Sequence, residues 1–146
     1  MNYNLVDILL VEDNDQDAEL TIHELKKHNV GNTLFRVSNG EEALEFIFAT
    51  GKFDGQRNIE HSLKLILLDI KMPGIDGIEV LKSIKSNKVT KNSPVVILTS
   101  SNQDPVIRQC YDLGANSYIV KPVRFEDFTR AIMDLGNYWL VLNQPG

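Results

Sequence analysis

KLILLDI, residues 64–70, sets a carboxylate, Asp69, into an otherwise unbroken apolar run. A short continuous apolar run reads as a strand covered on both faces, and such strands belong to parallel sheets. A carboxylate has no structural task inside that run, because burying an unpaired charge is costly. Asp69 therefore points to chemistry.

The same kind of run recurs on both sides of it. Residues 5–11 (LVDILLV), 33–37, 64–68 (KLILL), 94–98 (PVVIL) and 117–120 (SYIV) read as five strands. Helical patterns fill the gaps. Asn14 and Asp15 can cap a helix that carries Ala18, Ile22 and Leu25 on one face. Asn39 with Glu42 resembles a capping box ahead of Ala43, Leu44 and Ile47. Asp76 opens a helix bearing Ile78, Leu81 and Ile84. Asp104 and Pro105 start another, with proline at its first position, and Gly114 stops it. Val106, Cys110 and Leu113 share a face of that helix, so Cys110 reads as core. The last helix begins near Phe125. Five strand–helix alternations imply an α/β sheet of parallel strands joined by right-handed crossovers. Precedent gives the strand order 2-1-3-4-5, with helices on both faces and a switch point between strands 1 and 3.

Ligands bind such sheets at the C-terminal ends of the strands. Glu12, Asp13, Asp69, Thr99 and Lys121 all fall there. Three carboxylates brought together repel, at roughly 1–4 kcal/mol per pair at about 4 Å, depending on the dielectric. A divalent cation removes that cost. Mg²⁺ suits the all-oxygen donor set and is commonly completed by phosphate. Thr99 and Lys121 can donate to a phosphoryl group held from the other side. His23, His28 and His61 have no metal-ligand spacing and read as surface residues.

Bulk properties narrow the classes. A chain of 146 residues is one domain's worth, large enough to hold a core unaided. Its net charge of −5, without a basic run, argues against a nucleic-acid surface. One cysteine cannot form an internal disulfide. The lack of a leader or a long apolar stretch argues against secretion and a membrane span and makes the cytoplasm the expected location. Residues 51–62 (GKFDGQRNIEHS) form a polar insertion, read as tolerated rather than functional.

Four motifs resemble the receiver domains of two-component response regulators, which have the flavodoxin-like fold. They are ILLVED at 8–13, LLDIKMPGIDG at 67–77, VILTS at 96–100 and YIVKP at 118–122. The resemblance implies that Asp69 accepts a phosphoryl group from a sensor histidine kinase. It also implies that Glu12, Asp13, Asp69 and the backbone carbonyl of Lys71 hold Mg²⁺. Lys121 would pair with Asp69 and then with the phosphoryl oxygens. Thr99 would bond the phosphoryl group, Tyr118 would act as a switch residue, and the Lys121–Pro122 bond would be cis. The protein would be a phosphoacceptor for signalling rather than an enzyme, limited to self-catalysed phosphotransfer and slow loss of phosphate. A haloacid-dehalogenase phosphatase would want an acid where Lys71 stands. A nucleotide fold would want glycines where residues 12–15 are Glu-Asp-Asn-Asp. The remaining alternative is a pseudo-receiver, a binding module that is not phosphorylated.

Residues 1–136 are expected to form the receiver domain, with no output domain, and residues 137–146 an apolar tail. Phe125, Phe128, Ile132, Leu135, Trp139 and Leu142 recur at spacings of three and four, and YWLVL at 138–142 is hard to bury in one domain. This seam suggests a homodimer built partly on the tail. The insertion and tail resemble the stand-alone regulators that serve cyanobacterial phytochrome kinases. That makes a phytochrome-like kinase the expected upstream partner and contact with another protein the expected output.

Overall fold

The computed structural model describes residues 2–28, 30 and 33–135. Five parallel strands, β1 (Ile8–Val11), β2 (Leu34–Val37), β3 (Leu65–Asp69), β4 (Val95–Thr99) and β5 (Ser117–Val120), form one sheet in the order β2-β1-β3-β4-β5. The helices are α1 (Asp15–Lys27), α2 (Gly40–Phe48), α3 (Gly77–Ser86), α4 (Val106–Asp112) and α5 (Phe125–Asp134). This is the flavodoxin-like arrangement, as expected.

Side-chain alternation along the strands sorts the core into two layers. Ile8, Leu10, Leu65, Leu67, Val96, Leu98 and Ile119 pack with Ala18 and Leu25 of α1 and Phe128 and Ile132 of α5. Leu9, Val11, Ile66, Leu68, Val95 and Ile97 pack on the other face with Phe46 of α2, Leu81 and Ile84 of α3 and Cys110 of α4. Every residue of β1, β3 and β4 is buried, which is why these runs carry no polar alternation.

Helix starts follow the capping residues. Asn14, Asn39 and Asp76 each accept, through the side chain, the N–H three residues on, at 2.9, 2.7 and 3.0 Å. The capping box at Asn39 is incomplete: Glu42 Oε1 accepts from Ser38 N, one residue short of the reciprocal bond. Pro105 occupies the cap position of α4 rather than its first turn, and Asp104 Oδ1 accepts the N–H of Val106 at 3.0 Å. The N-terminus of α5 is capped from another helix, by Glu24 Oε2 on Phe125 N at 2.8 Å.

Strand ends moved where pairing, not hydropathy, sets them. The first strand begins at Ile8, where both neighbours begin to pair, and Tyr3–Leu5 forms a 3₁₀ turn instead. The third and fourth strands extend to Asp69 and Thr99, one residue further than the apolar runs. The insertion is not a passive loop. Phe53 is buried edge-on against Tyr3, Phe35 and Phe46. Arg57 is also buried and donates to the carbonyls of Phe46, Ile47 and His61, closing the C-terminal end of α2. The sequence reading missed both residues. In the last helix Phe128 and Ile132 lie in the core. Trp139, Leu142 and the proposed tail at 137–146 lie outside the described residues. No helix among the described residues is long and apolar enough to cross a membrane.

Candidate functional site

Register brings the expected site residues to one edge. Val11 pairs with Leu68, so Glu12 stands level with Asp69 on the neighbouring strand. Thr99 pairs with Val120, and Lys121 N donates to Thr99 O at 2.7 Å. Glu12, Asp69 and Lys121 continue, by the two-residue period, the rows that face α1 and α5. Thr99 and Tyr118 belong to the rows facing the other layer. The sheet thus aims two acids and a lysine at one point and sets the hydroxyl beside them.

Oxygen atoms of Glu12, Asp13 and Asp69 lie within 4.8 Å of one another. Glu12 is fully buried and Asp69 is 3% exposed. Burial, then the hydrogen bond to Asp69 and the charge of Asp69, push the Glu12 carboxyl up to about 7. The N–H of Asn14 and the Lys121 ammonium pull the other way without prevailing. At neutral pH this site therefore calls for either a proton or more positive charge. An all-oxygen cluster with that deficit could hold a divalent metal.

Lys121 supplies part of the charge. Its Nζ lies 3.1 Å from Glu12 Oε1 and 3.3 Å from both Asp17 Oδ2 and Asp69 Oδ2. Desolvation would lower its pKa, but Asp69 and Glu12 outweigh that and hold it above the ordinary lysine value. Asp17 is the site residue that sequence reading missed. Its signal was the spacing of four from Asp13 at the start of α1.

The remaining expected residues are close by in different roles. A cleft of about 200 Å³ is lined by Asp13, Asp17, Asp69, Lys71, Thr99 and Lys121, among others. The Thr99 hydroxyl is 3.2 Å from Ser101 O and 3.4 Å from Ser101 N. Lys71 donates its backbone N–H to Asp69 Oδ1 at 3.1 Å. Its ammonium lies 3.1 Å from Asp104 Oδ2. The Val106 N–H and then this ammonium hold the Asp104 carboxyl below its ordinary pKa. Tyr118 is half-buried, edge-on to Tyr111 at 6.3 Å. The Lys121–Pro122 bond is cis. Gly77 sits under Asp69: a Cβ there would come within 2.5 Å of Asp69 O and Ile70 Cα. A larger cleft of about 440 Å³ lies between α1 and β2 and is lined largely by Ile8, Ile22, Leu25 and Phe35. Its size exceeds that of the acidic cleft, but its lining offers no comparable group of acids.

Residues 8–133 match the model of the response regulator receiver domain family. The chain belongs to that family. Among its relatives is the probable methanogenesis regulatory protein FilR2 of Methanothrix harundinacea, 35% identical over 95% of this chain and 87% of that protein. The bacteriophytochrome response regulator AtBRR has the same fold with a TM-score of 0.86 and 41% identity, over 96% of this chain and 99% of AtBRR. The Mn²⁺-bound form of response regulator Rcp1, a protein of Synechocystis, matches with a TM-score of 0.72 and 33% identity, over 95% of this chain and 98% of Rcp1. Receiver domains are signalling modules, and this chain is one. The match to AtBRR and Rcp1 over nearly their whole lengths relates it to stand-alone receivers.

Proposed function

We propose that this receiver accepts a phosphoryl group on Asp69 from a sensor histidine kinase, with Mg²⁺, and signals by contact with another protein. The observation that carries the reading is the convergence of Glu12, Asp13, Asp69 and Lys121 at one strand edge. Glu12, Asp13, Asp69 and the backbone carbonyl of Lys71 would hold the metal. When bound, Mg²⁺ would offset the acids' charge and that of the phosphoryl oxygens.

Asp69 is the nucleophile. Its carboxylate oxygen bonds to phosphorus as the phosphorus–nitrogen bond to the kinase histidine breaks, with the electron pair leaving on nitrogen. Lys121, already 3.3 Å from Asp69, follows the negative charge onto the phosphoryl oxygens. Thr99 trades its contact with Ser101 for the phosphoryl group. Tyr118, half-buried in the adjoining row, then changes its exposure, which reads the event out on the α4 and α5 side.

The likeness to the bacteriophytochrome regulators and to Rcp1 favours a phytochrome-like kinase upstream. The apolar residues at 138–142 favour a homodimer formed partly by residues 137–146, beyond a receiver domain of residues 1–136. The cytoplasm is the compartment that suits such a partner.

Intact-mass spectrometry after incubation with a small acyl phosphate tests the central reading. One phosphoryl addition is expected in Mg²⁺, with none in its absence and none in Asp69→Asn. No addition to folded, Mg²⁺-binding protein would assign it to the pseudo-receivers. Light scattering on a chain ending at Gly136 tests the dimer, and a mass unchanged from the full chain refutes the tail's role.

A further inference from the structure

The edge strand β2 lends the acidic edge one side chain, Arg36. β2 ends at Val37, and Asn39 already caps α2. Glu12 N donates to Val37 O at 3.1 Å, as a parallel ladder requires. The strand then stops before it can offer Glu12 O the next N–H. Arg36 makes up that loss. Its Nε and Nη2 donate to Glu12 O at 2.9 and 2.7 Å, and its Nη1 donates to Asp15 Oδ1 at 2.9 Å. The Asp15 side chain is 84% exposed, so that ion pair adds little. The forked, charge-assisted bond to the carbonyl is the stronger hold. That carbonyl belongs to the peptide leading into Asp13, so fixing it fixes the direction in which both acids leave the chain. Glu12 has other supports: it is buried, and its carboxylate meets Lys121 Nζ and Asn14 N. Among the described residues the Asp13 carboxylate has no hydrogen bond or ion pair, so its place in the cluster depends on the backbone.

We infer, on the reading that Glu12, Asp13 and Asp69 hold Mg²⁺, that Arg36 is a positioning residue: through the Glu12 carbonyl it holds Asp13 where Mg²⁺ needs it. Removing Arg36 has two opposed effects. Loss of a positive charge near the acids favours any divalent cation. Loss of the fork frees the peptide that carries Asp13, which disfavours Mg²⁺, because Mg²⁺ demands near-octahedral ligands at short distance. Ca²⁺ accepts varied ligand numbers and longer distances, so it tolerates a displaced carboxylate better. Charge acts alike on two divalent ions, whereas position separates them.

Arg36→Met removes the fork and keeps an aliphatic stem, and Arg36→Lys keeps the charge on an unforked ammonium. Mg²⁺ and Ca²⁺ are titrated separately into the full chain well below its Tm, with Kd read from backbone amide NMR shifts. Mg²⁺ binding is expected to weaken about tenfold in Arg36→Met and about threefold or more in Arg36→Lys, and Ca²⁺ binding less than Mg²⁺ binding in both. Arg57→Ala, destabilised away from the site, is expected to bind both ions as the wild-type chain does. Mg²⁺ binding that is unchanged or tighter in Arg36→Met overturns the inference. So does equal weakening of the two ions, or the same loss in Arg57→Ala. Should Arg36→Met fail to fold, Arg36→Lys decides: wild-type Mg²⁺ affinity there overturns the inference. No Mg²⁺ binding by the wild-type chain overturns the metal reading itself and this inference with it. Binding that is indifferent to Arg36 overturns this inference alone.

Discussion

Glu12→Gln should stabilise the metal-free protein at alkaline pH, because the native site holds this carboxylate against its preference. The carboxyl rises from 4.5 to about 7 on folding, and 7 − 4.5 is about 2.5 pH units. At 1.36 kcal/mol per unit the ionised group carries a cost of about 3 kcal/mol relative to the unfolded chain. Glu12 is fully buried, so water does not screen that cost. Between 4.5 and about 7 the native state keeps a proton that the unfolded state has lost, so stability falls as pH rises through that window. Glutamine imitates the protonated acid and has no such slope. Asp69 shares the repulsion, so the gain from replacing Glu12 alone is about 2–3 kcal/mol at pH 8 and below about 1 at pH 5. For a domain of this size that is roughly 6–10 °C in Tm. Thermal and urea unfolding in EDTA at pH 5, 6.5 and 8 measure it, and the difference between the two proteins isolates Glu12. In Mg²⁺ at about 1,000 times the wild-type Kd the order should reverse, since bound metal then adds about 4.1 kcal/mol and the variant lacks one of the proposed ligands. A variant no more stable than wild type at pH 8 in EDTA, or a difference that does not change with pH, refutes the reasoning.

Lys121→Met removes the ammonium shared by Glu12, Asp17 and Asp69. It should cost about 2–4 kcal/mol in EDTA at pH 8 and less below pH 6, where Glu12 takes up its proton; urea unfolding at the two pH values checks this. Arg57→Ala breaks the bonds to Phe46, Ile47 and His61 and the contact with the Phe46 ring, and should cost about 2–4 kcal/mol in thermal unfolding while leaving Mg²⁺-dependent phosphoryl gain intact. Gly77→Ala forces a Cβ against Asp69 O and should cost about 2 kcal/mol or more. It should also weaken Mg²⁺ binding in titration calorimetry, because the displaced backbone carries Asp69.

Much of the site was legible because strand ends are visible in a one-dimensional pattern. Glu12, Asp13, Asp69, Thr99 and Lys121 each follow an apolar run, and a parallel sheet sends all such ends to one edge. What was missed came from the other elements. Asp17 sits on α1 and meets Lys121 across 104 residues of chain. Asp104 looked like a helix start and is that, but its second oxygen holds Lys71. The insertion looked polar because one buried aromatic and one buried arginine are outnumbered there by solvated residues. Phe53 packs on rings supplied from elsewhere in the chain, and Arg57 donates chiefly to carbonyls at the end of α2.

The sequence by itself determined the alternation of strands and helices, the caps at Asn14, Asn39 and Asp76, the burial of β1, β3 and β4 and the sheet edge where the acids and Lys121 meet. These depend on local periodicity and on interactions within a few residues, which a linear pattern records. Tertiary structure alone decided which acids share Lys121, how far Glu12 is driven toward its neutral form, where the Lys71 charge rests and how α5 is capped. Each of those is a distance between groups that the chain brings together only when the sheet closes, and both charge interaction and desolvation depend on that distance and on the burial it creates.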